Sequence, residues 1–358
     1  MPSPASTNAT RVLELASAQG FVRAGVCRLS SSEYAEELRA WLADGRHGSM
    51  DYLERHAEAR LDPNLVLEGA RSAIVVSDLY EARGAPAACE VVRRRGRIAR
   101  YARGDDYHRV MKRRLHAMAD VLLEVFPGER FRAFVDTAPV LEREHAVRAG
   151  LGWVGKHTLV IDPKLGSYTL LGGLLTTMEL DPPPMQRVEP DHCGSCTRCI
   201  DACPTDAITP YSVDARRCVS YLTIERREAI DEAFFAGIGD WLAGCDICQE
   251  VCPHNSPRPG RQRDESHAAY APRRTGFDLL DVLGWDESDR REAFTKSALK
   301  RLTLPMMKRN ALIVAGNQLA VRDDAELRAR IEAIADDGDE DEMVRTTAAA
   351  VLHRLNAR

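Results

Sequence analysis

No stretch of this 358-residue chain stays apolar for the roughly 20 residues that a membrane-crossing helix needs. Residues 1–19 lack the basic-then-apolar layout of an export signal and carry no twin-arginine pair. A P-loop is missing, which removes the commonest nucleotide-phosphate cradle. An excess of positive charge is missing too. Lys and Arg total 49 against 54 Asp and Glu, a formal net charge of −5, which argues against a general nucleic-acid binder. The expectation is a chain with no membrane partner, kept in the cytoplasm where thiols stay reduced. The hydrophobic share of 44% and charged share of 29% are those of a globular protein, and the length allows two or three domains with their own cores.

Cysteine is what the chain does have. Eight of its ten cysteines fall between Cys193 and Cys252. The first run is Cys193-x2-Cys196-x2-Cys199-x3-Cys203-Pro204, the ferredoxin spacing for iron–sulfur ligation. The second, Cys245-x2-Cys248-x3-Cys252-Pro253, is the same run without its first cysteine, whose position is held by Leu242. Cys218, alone between the runs, restores the count. In two-cluster ferredoxins the cysteine before each proline ligates the other run's cluster. Cys193, Cys196, Cys199 and Cys252 are therefore assigned to one [4Fe–4S] cluster, and Cys203, Cys218, Cys245 and Cys248 to the other. Zinc is the rival, because Cys-x2-Cys pairs also bind it. A triple run ending in x3-Cys-Pro favours clusters. Cys27 and Cys89 lack such neighbours and read as ordinary thiols.

Helical and strand patterns alternate up to about residue 180: a helix over 8–19, one over 31–42, a strand at 73–77, a long amphipathic helix over 107–126, a strand at 131–135 and a helix from about Pro139. Residues 159–161 and 168–175 read as strands paired around a Pro-Lys-Leu-Gly turn. The fold class expected is α+β, with an α/β N-terminal domain over 1–180. Asp181-Pro-Pro-Pro marks a boundary, and a two-cluster ferredoxin-like domain over 181–255 follows. After an irregular Pro- and Arg-rich stretch, residues 276–358 are helical throughout and suggest a HEAT-like pair or two.

A cluster module would need only the middle segment. In the first domain, Asp136 ends a strand just before a predicted helix, where α/β proteins often place ligands. It reads equally as a helix N-cap or as a proton donor, and the second role would need a pKa raised by burial. Asp106, Tyr107 and His108 open the long helix and offer three further proton-handling groups. The Gly-rich turn 150–157 could cradle a phosphate or a cofactor edge.

Six segments carry a wider resemblance: ARYARGDDYH (99–108), VDTAPVLER (135–143), GLGWVGKHTL (150–159), HCGSCTRCIDACPT (192–205), CVSYLTIE (218–225) and GCDICQEVCPHN (244–255). Together with RLTLPMMKRNALIVAGN (301–317), they make the chain resemble the epoxyqueuosine reductases, cobalamin-dependent iron–sulfur enzymes related to reductive dehalogenases. The resemblance implies a nitroreductase-like domain binding cobalamin beside the nearer cluster, and Asp136 as general acid in a pocket shared with Asp106, Tyr107 and His108. It implies cobalamin contacts from Arg60, Tyr101, Asp136, Lys156, His157, Ser167, Ser220 and Asp246. The partner implied is a tRNA bearing epoxyqueuosine in its anticodon, gripped by Arg94, Arg113, Arg258 and Arg309. An unidentified one-electron donor would supply electrons, and the chain would act as a monomer. Removing the epoxide oxygen takes two electrons and two protons; clusters pass electrons singly and cobalt accepts them. A dehalogenase-like reductase of a small molecule and a non-enzymatic two-cluster electron carrier remain alternatives.

Overall fold

Residues 72–79 read SAIVVSDL, a β-branched run in which every side chain is buried, as befits a strand covered on both faces. The computed structural model describes residues 3–84, 92–257 and 265–357; Cys89 and Arg258 lie outside them. The strands that matter here are β1 (Arg23–Arg28), β2 (Ser72–Leu79), β3 (Arg95–Ile98), β4 (Phe131–Val135), β5 (Thr169–Thr176), β6 (Trp241–Ala243) and β7 (Gly276–Asp278). The helices are α1 (Pro4–Ala18), α2 (Tyr107–Val125), α3 (Glu142–Arg148), α4 (Leu304–Leu319), α5 (Ala325–Asp336) and α6 (Glu342–Asn356).

The main sheet has the order β1-β2-β5-β4, antiparallel throughout. Alternation along β2 sorts its side chains. Ile74 and Val76 pack with Val12 and Ala16 of α1 and with Met111, Leu115 and Met118 of α2. Ala73 and Val75 face the opposite way, onto Ala146 of α3 and Val140. Residues 168–175 do not form a hairpin with residues 159–161. β5 pairs with β2 and β4, whereas Val160–Ile161 pairs with Trp153–Val154. The Pro-Lys-Leu-Gly segment closes only a single bridge, Asp162 to Gly166.

A smaller sheet, ordered β6-β3-β7, draws its strands from three distant parts of the chain. Leu242, where the second run lacks its cysteine, is fully buried in β6. A Cβ on Gly96 of β3 would stand 2.3 Å from the Leu242 Cγ, so only glycine lets the two strands approach. The position belongs to this core rather than to a metal site.

Helix α4 is apolar on most sides, and it also buries polar side chains that bond to backbone it lies against. Asn310 donates to the Thr223 and Leu242 carbonyls at 2.8 Å each, and Gln318 to the Arg95 carbonyl at 2.9 Å. Asn317 donates to Phe235 and Gly239. α4 packs along α6, which also contacts α5. Among the described residues, no helix is long and apolar enough to cross a membrane.

Candidate active site

Asp136 follows β4 directly, and it is not a helix cap. The next helix begins only at Glu142, and its N-cap position, Leu141, makes no side-chain capping bond. The Asp136 carboxylate, about half exposed, instead meets the start of α2. Its Oδ1 lies 3.0 Å from His108 Nε2, and its Oδ2 accepts from the Tyr107 hydroxyl. His108 Nδ1 in turn lies 2.7 Å from Asp106 Oδ1. Asp106 also caps α2, accepting from the His108 backbone N–H at 3.2 Å. The rings of Tyr107 and His108 stack at 4.0 Å, and Tyr101 meets Tyr107 edge-on at 5.9 Å. The four residues singled out for acid–base work thus form one chain of contacts.

The electrostatics of this chain differ from the expectation for Asp136. Burial pushes its pKa up, but the His108 and Tyr107 hydrogen bonds and the His108 charge outweigh it and hold the carboxyl below its ordinary value. For His108, burial acts downward, yet the bonds to Asp106 and Asp136 carry the imidazole up to about 9. The proton therefore rests on His108, between two carboxylates. Tyr107 is pushed far up, first by burial and then by the charge of Asp136.

Near Asp136 lie Glu142, Glu225 and Arg301, which the sequence did not single out, as well as Arg60, which it did. Glu142, at the start of α3, is pushed up to about 7 by burial and then by the Asp136 charge. Its Oε1 is buried with no hydrogen-bond partner, and so is Nε of Arg60. Glu225 pairs with Arg301, and both act on Asp136 or Tyr101. Glu142 was legible within VDTAPVLER, but a carboxylate in a first helical turn is the commonest of surface features. Burial, which sequence does not reveal, sets it apart.

The cysteines fall into two groups in space. Cys193, Cys196, Cys199 and Cys252 line one cavity, together with Lys156, His157, His192 and His254. Cys252 lies within the fields of Cys193, Cys199 and Cys196. Cys245 lies within those of Cys218 and Cys203, and Cys248 within those of Cys245 and Cys218 and, more weakly, of Cys199 from the first group. Two sets of four soft thiolate donors, each gathered at one place, suit iron–sulfide cubes. Cys27 stands apart, a buried thiol that burial pushes up to about 12.

The remaining expected contacts are dispersed. Lys156 Nζ donates to the carbonyls of Gly194 at 2.6 Å and Cys196 at 3.0 Å, and so fastens the first cysteine run. His157 is buried beside that run, and burial pushes it down to about 4. Ser167 is held by Gln249 and Asn255. Asp246 is buried, accepts from the Arg100 backbone N–H at 2.8 Å, and is pushed up to about 6 by burial. Tyr101 stands beside Tyr107, and Ser220 is two residues beyond Cys218. The glycines of the 150–157 turn serve close packing. A Cβ on Gly150 would meet the Arg187 carbonyl oxygen at 2.5 Å, and one on Gly152 the Ile161 oxygen at 2.1 Å.

One expected phosphate contact needs correction. Arg309 is fully buried, and its guanidinium donates to the carbonyls of Leu222, Arg226 and Glu228 at 2.9, 2.8 and 2.6 Å. It organises the cluster segment from inside and offers nothing to a phosphate. Arg94 is engaged by Asp324 and Glu326. Arg113 is exposed on α2.

A mixed α/β chain that carries both an acid–base chain and a double set of cluster-type cysteines has the makings of an iron–sulfur oxidoreductase. Residues 192–255 match the 4Fe-4S double cluster binding domain, and residues 60–137 match the family described as Epoxyqueuosine reductase QueG, DUF1730. The chain is 37% identical over 311 residues to an epoxyqueuosine reductase of Vibrio cholerae, spanning 86% of this chain and 83% of that protein. It is 38% identical to one of Xanthomonas campestris, spanning 88% of each. A crystal structure of epoxyqueuosine reductase with a tRNA-Tyr epoxyqueuosine-modified stem loop superposes with a TM-score of 0.84 at 27% identity, covering 98% of this chain and 90% of that one. The chain belongs to the epoxyqueuosine reductase family.

Proposed function

We propose that this enzyme reduces epoxyqueuosine to queuosine at the wobble position of a tRNA anticodon, using two [4Fe–4S] clusters and cobalamin. The observation that carries the reading is the Asp106–His108–Asp136–Tyr107 chain, with Asp136 half exposed at its open end. Residues 1–180 would hold the corrin, 181–255 the clusters, and 276–358, with basic residues such as Arg113, the RNA. The eight cysteines take the clusters in the two groups of four described above. The unpaired, buried polar atoms of Arg60 and Glu142 fit a polar cofactor edge, and Tyr101, on which the Asp136 charge acts, is a further candidate. Bound there, cobalamin would supply cobalt redox chemistry that accepts cluster electrons one at a time.

What the chain's own residues do follows from their charges. His108 holds a proton between Asp106 and Asp136. As the C–O bonds of the epoxide break, negative charge grows on oxygen. Asp136 passes that oxygen a proton drawn from His108, and Tyr107 keeps the carboxylate aimed. Two electrons and two protons convert the epoxide to an alkene and water. A wobble base in a single-stranded loop can be splayed out toward such a pocket.

Anaerobic incubation of cluster-loaded protein tests the reading. The mixture would hold a strong one-electron reductant and an epoxyqueuosine-bearing anticodon stem-loop, with and without cobalamin. Loss of one oxygen from the nucleoside by mass spectrometry, dependent on cobalamin, is expected. No conversion despite intact clusters and bound corrin would instead favour a small-molecule reductase.

A further inference from the structure

His157 lines the same cavity as Cys193, Cys196, Cys199 and Cys252, the four thiols assigned to one cluster, and it is only 3% exposed. It sits in the turn that joins Trp153–Val154 to Val160–Ile161, a pair of short antiparallel strands. Gly155 makes room for its ring, since a Cβ there would stand 3.1 Å from His157 Cε1. The turn also fixes which ring nitrogen does what. Nδ1 accepts from the Leu159 backbone N–H at 3.2 Å. A ring nitrogen that accepts carries no proton, so the imidazole is neutral and its one N–H is on Nε2. That donor is buried and has no hydrogen-bond partner among the described residues. Buried donors are costly to leave unbonded, so this one marks a place where an occupant of the cavity completes the bonding.

The walls of the cavity say what that occupant offers. Four thiolates around one centre suit an iron–sulfur cube, whose sulfurs carry negative charge and accept hydrogen bonds but donate none. The neighbouring cation does not serve them, because Lys156 Nζ is spent on the Gly194 and Cys196 carbonyls. We infer that His157 donates its Nε2–H to a sulfur of the cluster held by Cys193, Cys196, Cys199 and Cys252, and so raises that cluster's reduction potential. The sign follows from charge. A reduced cluster is one electron more negative than an oxidised one, so a donor to its sulfur favours the reduced state. The family resemblance gave His157 to the corrin; the cavity it lines gives it to the cluster instead. This rests on the cluster assignment proposed above. It adds a residue that ligates nothing yet tunes the electron supply.

Anaerobic redox titration of the cluster-loaded protein, read by EPR, gives a midpoint potential for each cluster and tests this without turnover. His157→Phe keeps the bulk of the ring and removes the donor. One of the two potentials should then fall by about 59 mV, a tenfold weakening of a one-electron reduction, while the other holds. His157→Gln, whose amide nitrogen can donate, should recover most of that shift. In protein carrying isotope-labelled histidine, pulsed EPR of the reduced cluster should show a histidine-nitrogen coupling that His157→Phe removes. Unchanged potentials in His157→Phe at full iron content overturn the inference, and so does a rise. Should His157→Phe lose iron, absence of the coupling in the wild type overturns it. If the wild type gives no reduced-cluster signal at all, it is the cluster assignment that fails.

Discussion

His108 Nε2 stands 3.0 Å from Asp136 Oδ1 while its other ring nitrogen stands 2.7 Å from Asp106. An imidazole clasped between two carboxylates keeps its proton, and the outer carboxylate is the one that faces the open cleft. In the proposed reaction Asp136 would act as the conduit for a proton stored on His108 behind it.

Asp136→Asn removes the proposed conduit and should leave the fold untouched, because the side chain is half exposed and, among the described residues, bonds to Tyr107 and His108. Turnover should fall by about 10²–10⁴, the usual contribution of a positioned acid, with iron and corrin content unchanged. Single-turnover assays on protein of verified iron content decide it. Near-normal rates would leave Asp136 no part in proton transfer.

The pH profile follows from the sign of the His108 shift. The folded value, raised to about 9, lies above the ordinary 6.5, so the imidazolium contributes stability that is full below about 6.5 and is lost as pH rises through about 9. Activity should decline over the same window as the stored proton leaves. Chemical denaturation and single-turnover rates between pH 6 and 10, compared with His108→Gln, should show the variant lacking both slopes. An alkaline limb that persists in His108→Gln would assign it to another group.

Cys218→Ala tests the grouping of cysteines. With Cys203, Cys245 and Cys248 left as three thiolates, iron per chain should drop toward half of the eight that two clusters hold. Metal analysis after anaerobic purification reads it directly, and retention of all eight would break the assignment.

Arg309→Met should act on stability and spare RNA. It strips donors from the carbonyls of Leu222, Arg226 and Glu228 in a fully buried setting, a loss on the order of 3 kcal/mol. A urea melt should register it, whereas stem-loop affinity per folded molecule should match wild type. Arg113→Ala, on an exposed side chain, should do the reverse and flatten the salt dependence of stem-loop binding by about one unit of log–log slope.

Local spacing carried much of this protein. The cysteine runs are a covalent pattern, since short fixed spacers can only wrap sulfurs around a compact centre. The strand around 73–77 is a short apolar run that folding covers on both faces, and the long helix from Tyr107 is a periodicity that survives folding because it buries one face. Asp136 and the Asp106–Tyr107–His108 trio could be named from sequence, but not their bonding to one another.

What only the tertiary structure decided depends on contacts between residues far apart in the chain. The sequence could not say that Asp136 is bonded rather than a helix cap, or that its charge is stabilised rather than suppressed. Nor could it say that Arg309 faces inward while Arg113 faces solvent, since both are arginines on helices. Leu242 looked like a lost ligand until Gly96 was found against it. Folding buries one polar atom each of Glu142 and Arg60 without a hydrogen-bond partner, which spacing could not show. Composition and spacing fix which chemistry a chain can carry. Burial and pairing, which are sums over distant neighbours, decide which of its side chains carry it.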